Sequence, residues 1–208
     1  MARCFGNDDD LYSHYHDTEW GVSPTGFGVN EAELFERLSL EVFQVGLSWL
    51  LILRRREAFR EAFAGFDPAI VAEFDDSDIE ALTANEGIIR NRRKIEATVN
   101  NAQRVLEMHA NGESLAELFA GHRPRQIVTR RGAFEDLPAY INEAVALSKA
   151  LKSRGFIFVG PTNVYAMMQA LGIVDDHLAS CPVAEQFDAK PVAADVWDEV
   201  SERTPMPK

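Results

Sequence analysis

The sequence predicts an all-α fold, and three observations support that prediction. Helix start signals recur from residue 30 onward, the apolar residues that follow them repeat with helical spacing, and only residues 126–129 look extended. One extended segment of that length cannot form a sheet without partners. With 208 residues, 46% of them hydrophobic, the chain can bury one sizeable core, so we expect one domain.

Several of the expected helices have a recognisable first residue. Asn30, Ser77 and Ser114 each precede a glutamate by three positions, which is the pattern of a capping box. Asp67 is followed by Pro68, a cap with proline at the first helical position. These signals and the apolar spacing place helices at residues 31–44, 48–64, 68–74, 78–84, 91–110, 114–120, 142–153 and 162–171.

The C-terminal part of the chain has a different composition. Past Cys181 the sequence becomes acidic and is interrupted by prolines, with one further short helix expected at residues 192–200. We therefore divide the chain into a helical domain, residues 1–181, and an acidic tail, residues 182–208, which we expect to be partly mobile.

Charge and hydropathy restrict the classes of function. The net charge of −12 argues against a broad basic surface, but residues 54–154 carry 16 basic and 16 acidic residues, so the excess acid lies toward the two ends. A local basic face and an evenly mixed acidic surface both remain open. No apolar stretch approaches the roughly 20 residues that span a bilayer, and the N-terminus lacks the apolar core of a secretory signal. We expect a soluble, cytoplasmic protein with no membrane partner.

Two cysteines and two histidines have the spacing of a metal site. Cys4 and His16 form one pair, and His177 and Cys181 form a second pair that spans about one helical turn. Four such ligands suit a closed tetrahedral zinc site, which would join the two ends of the domain. The alternative is four unconnected residues, since two cysteines make no disulfide framework.

Residues 38–53 are almost entirely apolar, so their few polar members need an explanation. Glu41 and Gln44 are three positions apart, and Trp49 follows eight positions after Glu41. They form one stripe if the helix continues through Gly46, or two walls of a cavity if Gly46 ends it. A buried carboxylate needs hydrogen-bond donors or a raised pKa, which suits a pocket. The alternative is that Glu41 pairs with an arginine at the surface.

Residues 151–177 read as a helix, a tight turn at Val159-Gly160-Pro161, and a second helix from Thr162. The segment resembles a helix-hairpin-helix motif. In that motif the glycine turn and the free amides that begin the second helix hold a DNA phosphate without reading sequence. Helices joined by a short turn are also ordinary core architecture, so the motif alone does not establish DNA binding.

Taken together, these segments resemble the DNA-3-methyladenine glycosylase I family of the helix-hairpin-helix DNA glycosylases. The combination of YHDTEWG, GLSW and the final hairpin is specific, whereas each short string alone is not. The resemblance covers most of residues 3–181 and rests on RC from Arg3, LYSHYHDTEWGV from Leu11, LSLEVFQVGLSW from Leu38, FDP from Phe66, GIIRNRRKI from Gly87 and SRGFIFVGPTNVYAMMQALGIVDDH from Ser153.

The resemblance implies a function and a role for each candidate residue. The expected activity is hydrolysis of the N-glycosidic bond of 3-methyladenine in alkylated double-stranded DNA, by base flipping and without strand cleavage, in a monomer. The implied residues are Glu41 for reading the base, Tyr12, Tyr15 and Trp49 for shaping the pocket, Gln44 for supporting it, Gly160 and Thr162 for holding phosphate, and Cys4, His16, His177 and Cys181 for one structural zinc.

Two positions depart from the family pattern. Phe5-Gly6-Asn7 stands where the family usually has a tryptophan, so we expect one wall of the base pocket to differ. Asp175 stands where the family usually has asparagine and where other branches of the superfamily keep a catalytic aspartate. The rival hypotheses are a non-catalytic binder of damaged DNA, a glycosylase of shifted substrate range, and a helical zinc protein with no nucleic-acid role.

Overall fold

The computed structural model describes residues 3–21, 31–124 and 130–184, and these residues form ten α-helices and no strand. The prediction of an all-α fold is confirmed for this part of the chain. The helices are α1 Asp10–Thr18, α2 Glu31–Gln44, α3 Trp49–Leu53, α4 Arg56–Ala62, α5 Pro68–Val71, α6 Asp76–Ala84, α7 Arg92–Ala110, α8 Leu115–Ala120, α9 Asn142–Ser153 and α10 Pro161–Ala170.

The helix starts show which sequence signals were read correctly. Asp67 accepts from the Ala69 amide at the start of α5, and Ser114 accepts from the Glu117 amide at the start of α8, as their positions predict. The prediction that Ser77 caps α6 is wrong. Asp75 caps it, because its carboxylate accepts from the amides of Ser77 and Asp78 while the Asp78 side chain accepts from the Asp75 amide.

The single helix predicted at residues 48–64 is also wrong, because it is interrupted between α3 and α4. Arg54 pairs with Asp9 at 2.5 Å, whereas Arg55 donates to the backbone carbonyls of Glu86 and Gly87. The two neighbouring arginines are therefore committed to different parts of the molecule. Tertiary contacts of this kind override a local helical preference.

Helix α1 is absent from the sequence prediction, although it carries three of the candidate site residues. It is short and mostly polar, so it gives little apolar periodicity, but it has an N-cap. The Asp9 carboxylate accepts from the Tyr12 amide at 3.0 Å. Tyr15 and His16 are buried on its inner face, which places α1 between the candidate pocket and the candidate metal site.

Helices α2 and α7 form the centre of the molecule. Helix α2 packs against α3, α5, α7, α8 and α10, and α7 packs against α5 and α6. Fully buried phenylalanine rings pack against one another in the core: Phe43 of α2 contacts Phe59 of α4 in a tilted arrangement at 4.6 Å, and Phe63 stacks on Phe66 at 5.4 Å. This core fixes the C-terminal end of α2, where Glu41 lies.

Some predictions concern residues that the structure does not describe. The capping residue Asn30, the extended segment 126–129, and the tail helix at 192–200 all lie outside the described ranges. Among the helices that are described, none combines the length and the apolar character needed to cross a membrane.

Candidate functional site

Gly46 ends α2 and allows the chain to turn toward α3. Its φ angle of 78° lies in the left-handed region that glycine tolerates best, and Ser48 caps α3 by accepting from the Leu51 amide. The second of the two sequence alternatives is therefore confirmed. Glu41 and Trp49 lie on different helices and line one cavity of about 90 Å³.

Glu41 is a buried carboxylate that the described protein leaves without a hydrogen bond. It is 6% exposed, and no described side chain or amide donates to it. The nearest candidate, Arg37, instead donates to Glu33 and to the Ala170 carbonyl. The proposed surface ion pair between Glu41 and an arginine is therefore wrong. Burial raises the pKa of Glu41 to about 8, although the field of Arg37 opposes the shift.

Aromatic rings form the apolar part of the cavity wall. Tyr15 and Trp49 line it, with ring centroids 5.4 Å apart, and the Trp49 Nε1 is buried without a partner in the described chain. Burial raises the pKa of Tyr12, and the nearby charge of Glu41 adds to that shift. Phe5 packs on the Tyr12 ring at 4.7 Å. The segment that departs from the family pattern thus joins the same aromatic cluster.

Ion pairs surround the cavity. Arg56 pairs with Glu19, Arg60 with Glu36, and Arg37 with Glu33, and all six of these residues line it. Three arginines and three glutamates cancel in formal charge, so the state of Glu41 decides the net charge of the cavity. An ionised Glu41 makes the cavity negative and favours a cationic ligand, which is attracted at short range in a site of low dielectric.

Gln44 is close to this cavity without being part of its lining. Its Nε2 donates to the Leu47 carbonyl at 3.2 Å, across the turn that Gly46 makes. The side chain therefore braces the turn between α2 and α3. This position of Gln44 is consistent with a role in supporting the cavity. It gives no support for direct contact between Gln44 and a ligand.

The segment between α9 and α10 brings a helix N-terminus to the surface. Helices α9 and α10 pack against each other, and Gly160 is the N-cap of α10, with Pro161 at its first position. No side chain caps this end, so amides of the first turn, including that of Thr162, remain available for an acceptor. Buried Asn101 holds the segment by bonding both the amide and the carbonyl of Ile157.

The four candidate metal ligands come together from the two ends of the domain. The ligand atoms of Cys4, His16, His177 and Cys181 all lie within 4.8 Å of one another. The Cys181 sulfur is 3.5 Å from His16 Nε2 and 3.6 Å from His177 Nδ1, and the Cys4 sulfur is 3.7 Å from that same Nδ1. The alternative of four unconnected residues is therefore excluded, and the cluster can hold a metal ion.

Neighbouring groups orient this cluster. Asp17 accepts at 2.9 Å from the His16 Nδ1, which directs the Nε2 toward the sulfurs, and Arg3 holds Asp17 in place. Gly21, with φ 73°, has its α-carbon so near the His177 ring that a Cβ would lie 2.8 Å from it. Burial raises the pKa of Cys4 to about 12 and lowers that of His177 to about 4, so both are neutral without a cation.

Asp175 lies outside the cavity. Its carboxylate accepts from Arg130 at 2.6 Å and from the His177 amide at 3.1 Å, and its side chain is 40% exposed. The buried carboxylate of this segment is Asp176, which accepts from Tyr165 and Gln169. Both acids are engaged in holding the segment that leads into the metal ligands.

A sequence profile described as methyladenine glycosylase matches residues 5–185, which include Glu41, its aromatic neighbours and three members of the Cys/His cluster, His16, His177 and Cys181. The chain belongs to this methyladenine glycosylase family. All the residues that the sequence proposed for the pocket fall within the matched region, and Cys4 of the metal site lies one residue before it. The family assignment was thus correct.

Individual relatives agree with the profile. DNA-3-methyladenine glycosylase 1 of Escherichia coli (strain K12) is 44% identical over 185 residues, 87% of this chain and 96% of the relative. A crystal structure of 3-methyladenine DNA glycosylase I superposes with a TM-score of 0.81 at 42% identity, covering 87% of this chain and 98% of the other. A variant of 3-methyladenine DNA glycosylase I in complex with 3-methyladenine superposes at 0.77, with 36% identity, 86% of this chain and 95% of the other.

Sequence reasoning missed the ion pairs around the cavity and the partnerless Trp49 Nε1. Most of these ion pairs join residues that lie far apart in the sequence, so no local sequence pattern predicts them. The Glu33 and Arg37 pair, four positions apart on one helix, was the only signal that the sequence offered.

Proposed function

We propose that this member of the family excises 3-methyladenine from alkylated double-stranded DNA by hydrolysing the N-glycosidic bond. The observation that carries the proposal is the buried Glu41 carboxylate, which has no hydrogen-bond partner in the described chain and lines one cavity with Tyr15 and Trp49. A buried acceptor of this kind needs a ligand that supplies a donor. A 3-methylated adenine supplies both an amino group that can donate and a positive charge. The relatives of this protein are named as 3-methyladenine glycosylases, and one of them is described in complex with 3-methyladenine.

The recognition step uses groups that already face the cavity. A nucleotide extruded from the duplex enters at an unstacking cost of a few kcal/mol, which damage lowers. Glu41 accepts a hydrogen bond from the amino group of the base, and Trp49 Nε1 offers a donor. The rings of Tyr15 and Trp49 attract the cation through their negative faces, at about 0.5–2 kcal/mol each. Tyr12 and Phe5 support these rings.

The chemical step needs little from the protein. The alkylated base leaves with its positive charge neutralised, so the leaving group is already activated, and a water molecule completes the hydrolysis. We propose no strand cleavage, since no lysine belongs to the described lining of the cavity. Asp175, bound to Arg130 at the surface, acts as a structural acid.

The phosphate and metal sites complete the proposal. The turn at Gly160 and Thr162 is proposed as a helix-hairpin-helix contact that holds a phosphate through main-chain amides.

We propose that the Cys/His cluster binds one structural zinc, with Cys4, His16, His177 and Cys181 as its ligands. A tetrahedron with Zn–S of about 2.3 Å and Zn–N of about 2.05 Å has S···N edges of about 3.5 Å. The measured S···N separations of 3.5, 3.6 and 3.7 Å fit it.

Zinc bound there would hold both ends of the domain, residues 1–181, leaving residues 182–208 as a separate tail. With four protein ligands, the ion has the closed coordination of a structural site. We further propose that the enzyme acts as a monomer in the cytoplasm.

The test is release of base from methylated duplex DNA. Purified protein is incubated with the DNA, and free 3-methyladenine and strand breaks are measured separately. Release of 3-methyladenine without strand breaks supports the proposal. Binding to an abasic-site duplex without release of any base would favour the non-catalytic binder, and release of a different alkylated base would favour a shifted substrate range.

A further inference from the structure

Lys94 is a buried lysine that the proposed chemistry does not use. It is 5% exposed, lies in the first turn of α7, and is absent from the lining of the Glu41 cavity. Its Nζ donates to the Phe43 carbonyl at 2.7 Å and to the Val45 carbonyl at 2.6 Å. The ammonium therefore binds the C-terminal end of α2, where a cation is favoured by the orphan carbonyls and the helix dipole.

Residues 45–48, which we name the tip, form the turn that Lys94 holds. The Gln44 carbonyl accepts from the Leu47 amide at 2.8 Å, and the Gln44 side chain donates to the Leu47 carbonyl. With the two bonds from Lys94, the carbonyls of Phe43, Gln44 and Val45 all have donors. The tip is thus internally bonded, although Val45 is 38% exposed and Gly46 has open space around it.

The same helix also holds the hairpin between α9 and α10. Asn101, seven residues after Lys94 on α7, is 1% exposed and bonds both backbone groups of Ile157. Seven residues of α-helix span about 10 Å along the axis. Helix α7 therefore fixes two surface turns at a set distance, the tip through Lys94 and the hairpin through Asn101.

A third contact joins the tip region and the hairpin directly. The Asn163 Nδ2, in the first turn of α10, donates to the Phe158 carbonyl at 3.0 Å and to the Glu41 carbonyl at 3.4 Å. The last turn of α2 thus presents Glu41 to the cavity, bonds the hairpin through a carbonyl, and continues into the tip. The hairpin therefore adjoins the end of α2 that carries Glu41 and leads into the tip.

We propose that Lys94 is a positioning residue for DNA engagement, which holds the tip at a fixed distance from the hairpin so that one duplex contacts both. The inference rests on the proposed function. Lysine suits the position because a single ammonium can donate to two carbonyls at once and carries the charge that a helix C-terminus favours. Lys94 is absent from the cavity lining and its ammonium donates to the carbonyls of Phe43 and Val45, so it acts through the backbone at the end of α2.

The experiment separates DNA engagement from base recognition. Lys94→Met is compared with wild type for affinity toward a duplex that contains a tetrahydrofuran abasic analogue, and for affinity toward free 3-methyladenine. Val105→Ala, a substitution of a fully buried residue on the same helix, is the matched control for lost stability. Hydrogen exchange of the Leu47 amide reports the order of the tip.

We expect Lys94→Met to weaken binding of the abasic duplex about 10-fold or more, because a tip that Lys94 no longer holds is not aligned to contact the duplex. The affinity of Lys94→Met for free 3-methyladenine should stay within about 2-fold of the wild-type affinity, since the contacts that line the cavity are separate from those that Lys94 makes. Exchange at Leu47 should accelerate. Val105→Ala should lower the melting temperature and leave the abasic-duplex affinity unchanged.

Three results would overturn the proposal: unchanged duplex affinity, equal losses for duplex and free base, or the same duplex loss in Val105→Ala. If Lys94→Met does not fold, Lys94→Gln, which keeps a donor on a shorter side chain, is measured in the same way. Failure of the wild-type enzyme to release 3-methyladenine would contradict the proposed function alone, because the comparison of duplex affinities requires no excision.

Discussion

The Cys/His cluster and the Glu41 cavity are both buried groups of polar atoms, but they differ in what surrounds them. In the cluster, each ligand atom faces the other three, and Asp17 and Gly21 hold two of the rings in place. In the cavity, Glu41 and the Trp49 Nε1 have no partner in the described chain. The cluster can hold a metal ion, whereas the cavity presents a buried acceptor and a buried donor that the described chain leaves without partners.

This difference predicts which region serves stability and which serves activity. A closed set of ligands lowers the free energy of the folded chain when its ion binds. A buried carboxylate without partners raises that free energy, and the structure around it must offset the cost. Substitutions in the two regions should therefore act on different measurements.

The largest effect is expected from the cluster. Metal binding at such a site contributes on the order of 10 kcal/mol to the stability of the folded protein, and removing the metal or one ligand loses part of it. Cys181→Ser should melt at a much lower temperature than wild type, and hydrogen exchange should accelerate at both ends of the domain together. Ser180→Ala, one residue away and exposed, should melt like wild type. Absence of zinc from folded, active protein would contradict this assignment.

The next effect concerns Glu41. Glu41→Gln replaces an acceptor oxygen by a donor, which introduces a buried mismatch of about 1–3 kcal/mol toward the amino group of the base. Single-turnover excision should fall roughly 10- to 100-fold. Thermal stability should change little below about pH 8, because the buried Glu41 is then mostly protonated and, like glutamine, uncharged. Glu80→Gln, an exposed position on α6 that is absent from the cavity lining, is the matched control, and equal excision rates for Glu41→Gln and wild type would show that the pocket is misplaced.

The pH profile sharpens the same comparison. The pKa of Glu41 is raised to about 8 from 4.5, so excision at low substrate concentration should rise about tenfold per pH unit below 8 and level off above it. The stabilising effect of this raised pKa is fully present below pH 4.5 and is lost as pH rises through about 8. Glu41→Gln should show a flatter rate profile and gain relative stability at high pH. A profile shared by both proteins would assign the titration to another group.

The smallest effect is expected from Asp175. Asp175→Asn keeps the acceptor for the His177 amide and loses only the charge toward Arg130, at a site 40% exposed, where such pairs contribute about 1 kcal/mol or less. Excision of 3-methyladenine should stay within about threefold of wild type. Loss of base release with zinc and folding intact would place the catalytic acid at Asp175.

The sequence predicted the parts of the fold that depend on local signals. The bounds of α2 and α9 agree with the prediction, as do the caps at Asp67 and Ser114. The break between α3 and α4 could not be predicted, since it depends on where Arg54 and Arg55 find partners. Helix α1 was missed because its polar composition gives no apolar period, although Asp9 was a readable cap.

The candidate site shows the same division between features that the sequence predicts and features that depend on tertiary contacts. Spacing and family resemblance predicted the four residues of the cluster, because metal ligands must be particular residue types. The same reasoning selected Glu41 by its isolation among apolar neighbours. Lys94 escaped notice because its partners are main-chain carbonyls of α2, about 50 residues earlier in the chain, and a backbone group carries no sequence signature.

The cluster also imposes an order on synthesis. Cys4 and His177 are separated by 173 residues, yet their side chains are neighbours. Chains fold from the N-terminus as they leave the ribosome. Arg54 and Arg56 can pair with Asp9 and Glu19 at the two ends of α1 early in synthesis, but the Cys/His cluster cannot form until Cys181 has emerged. The link between the two ends of the helical domain is therefore completed only near the end of synthesis.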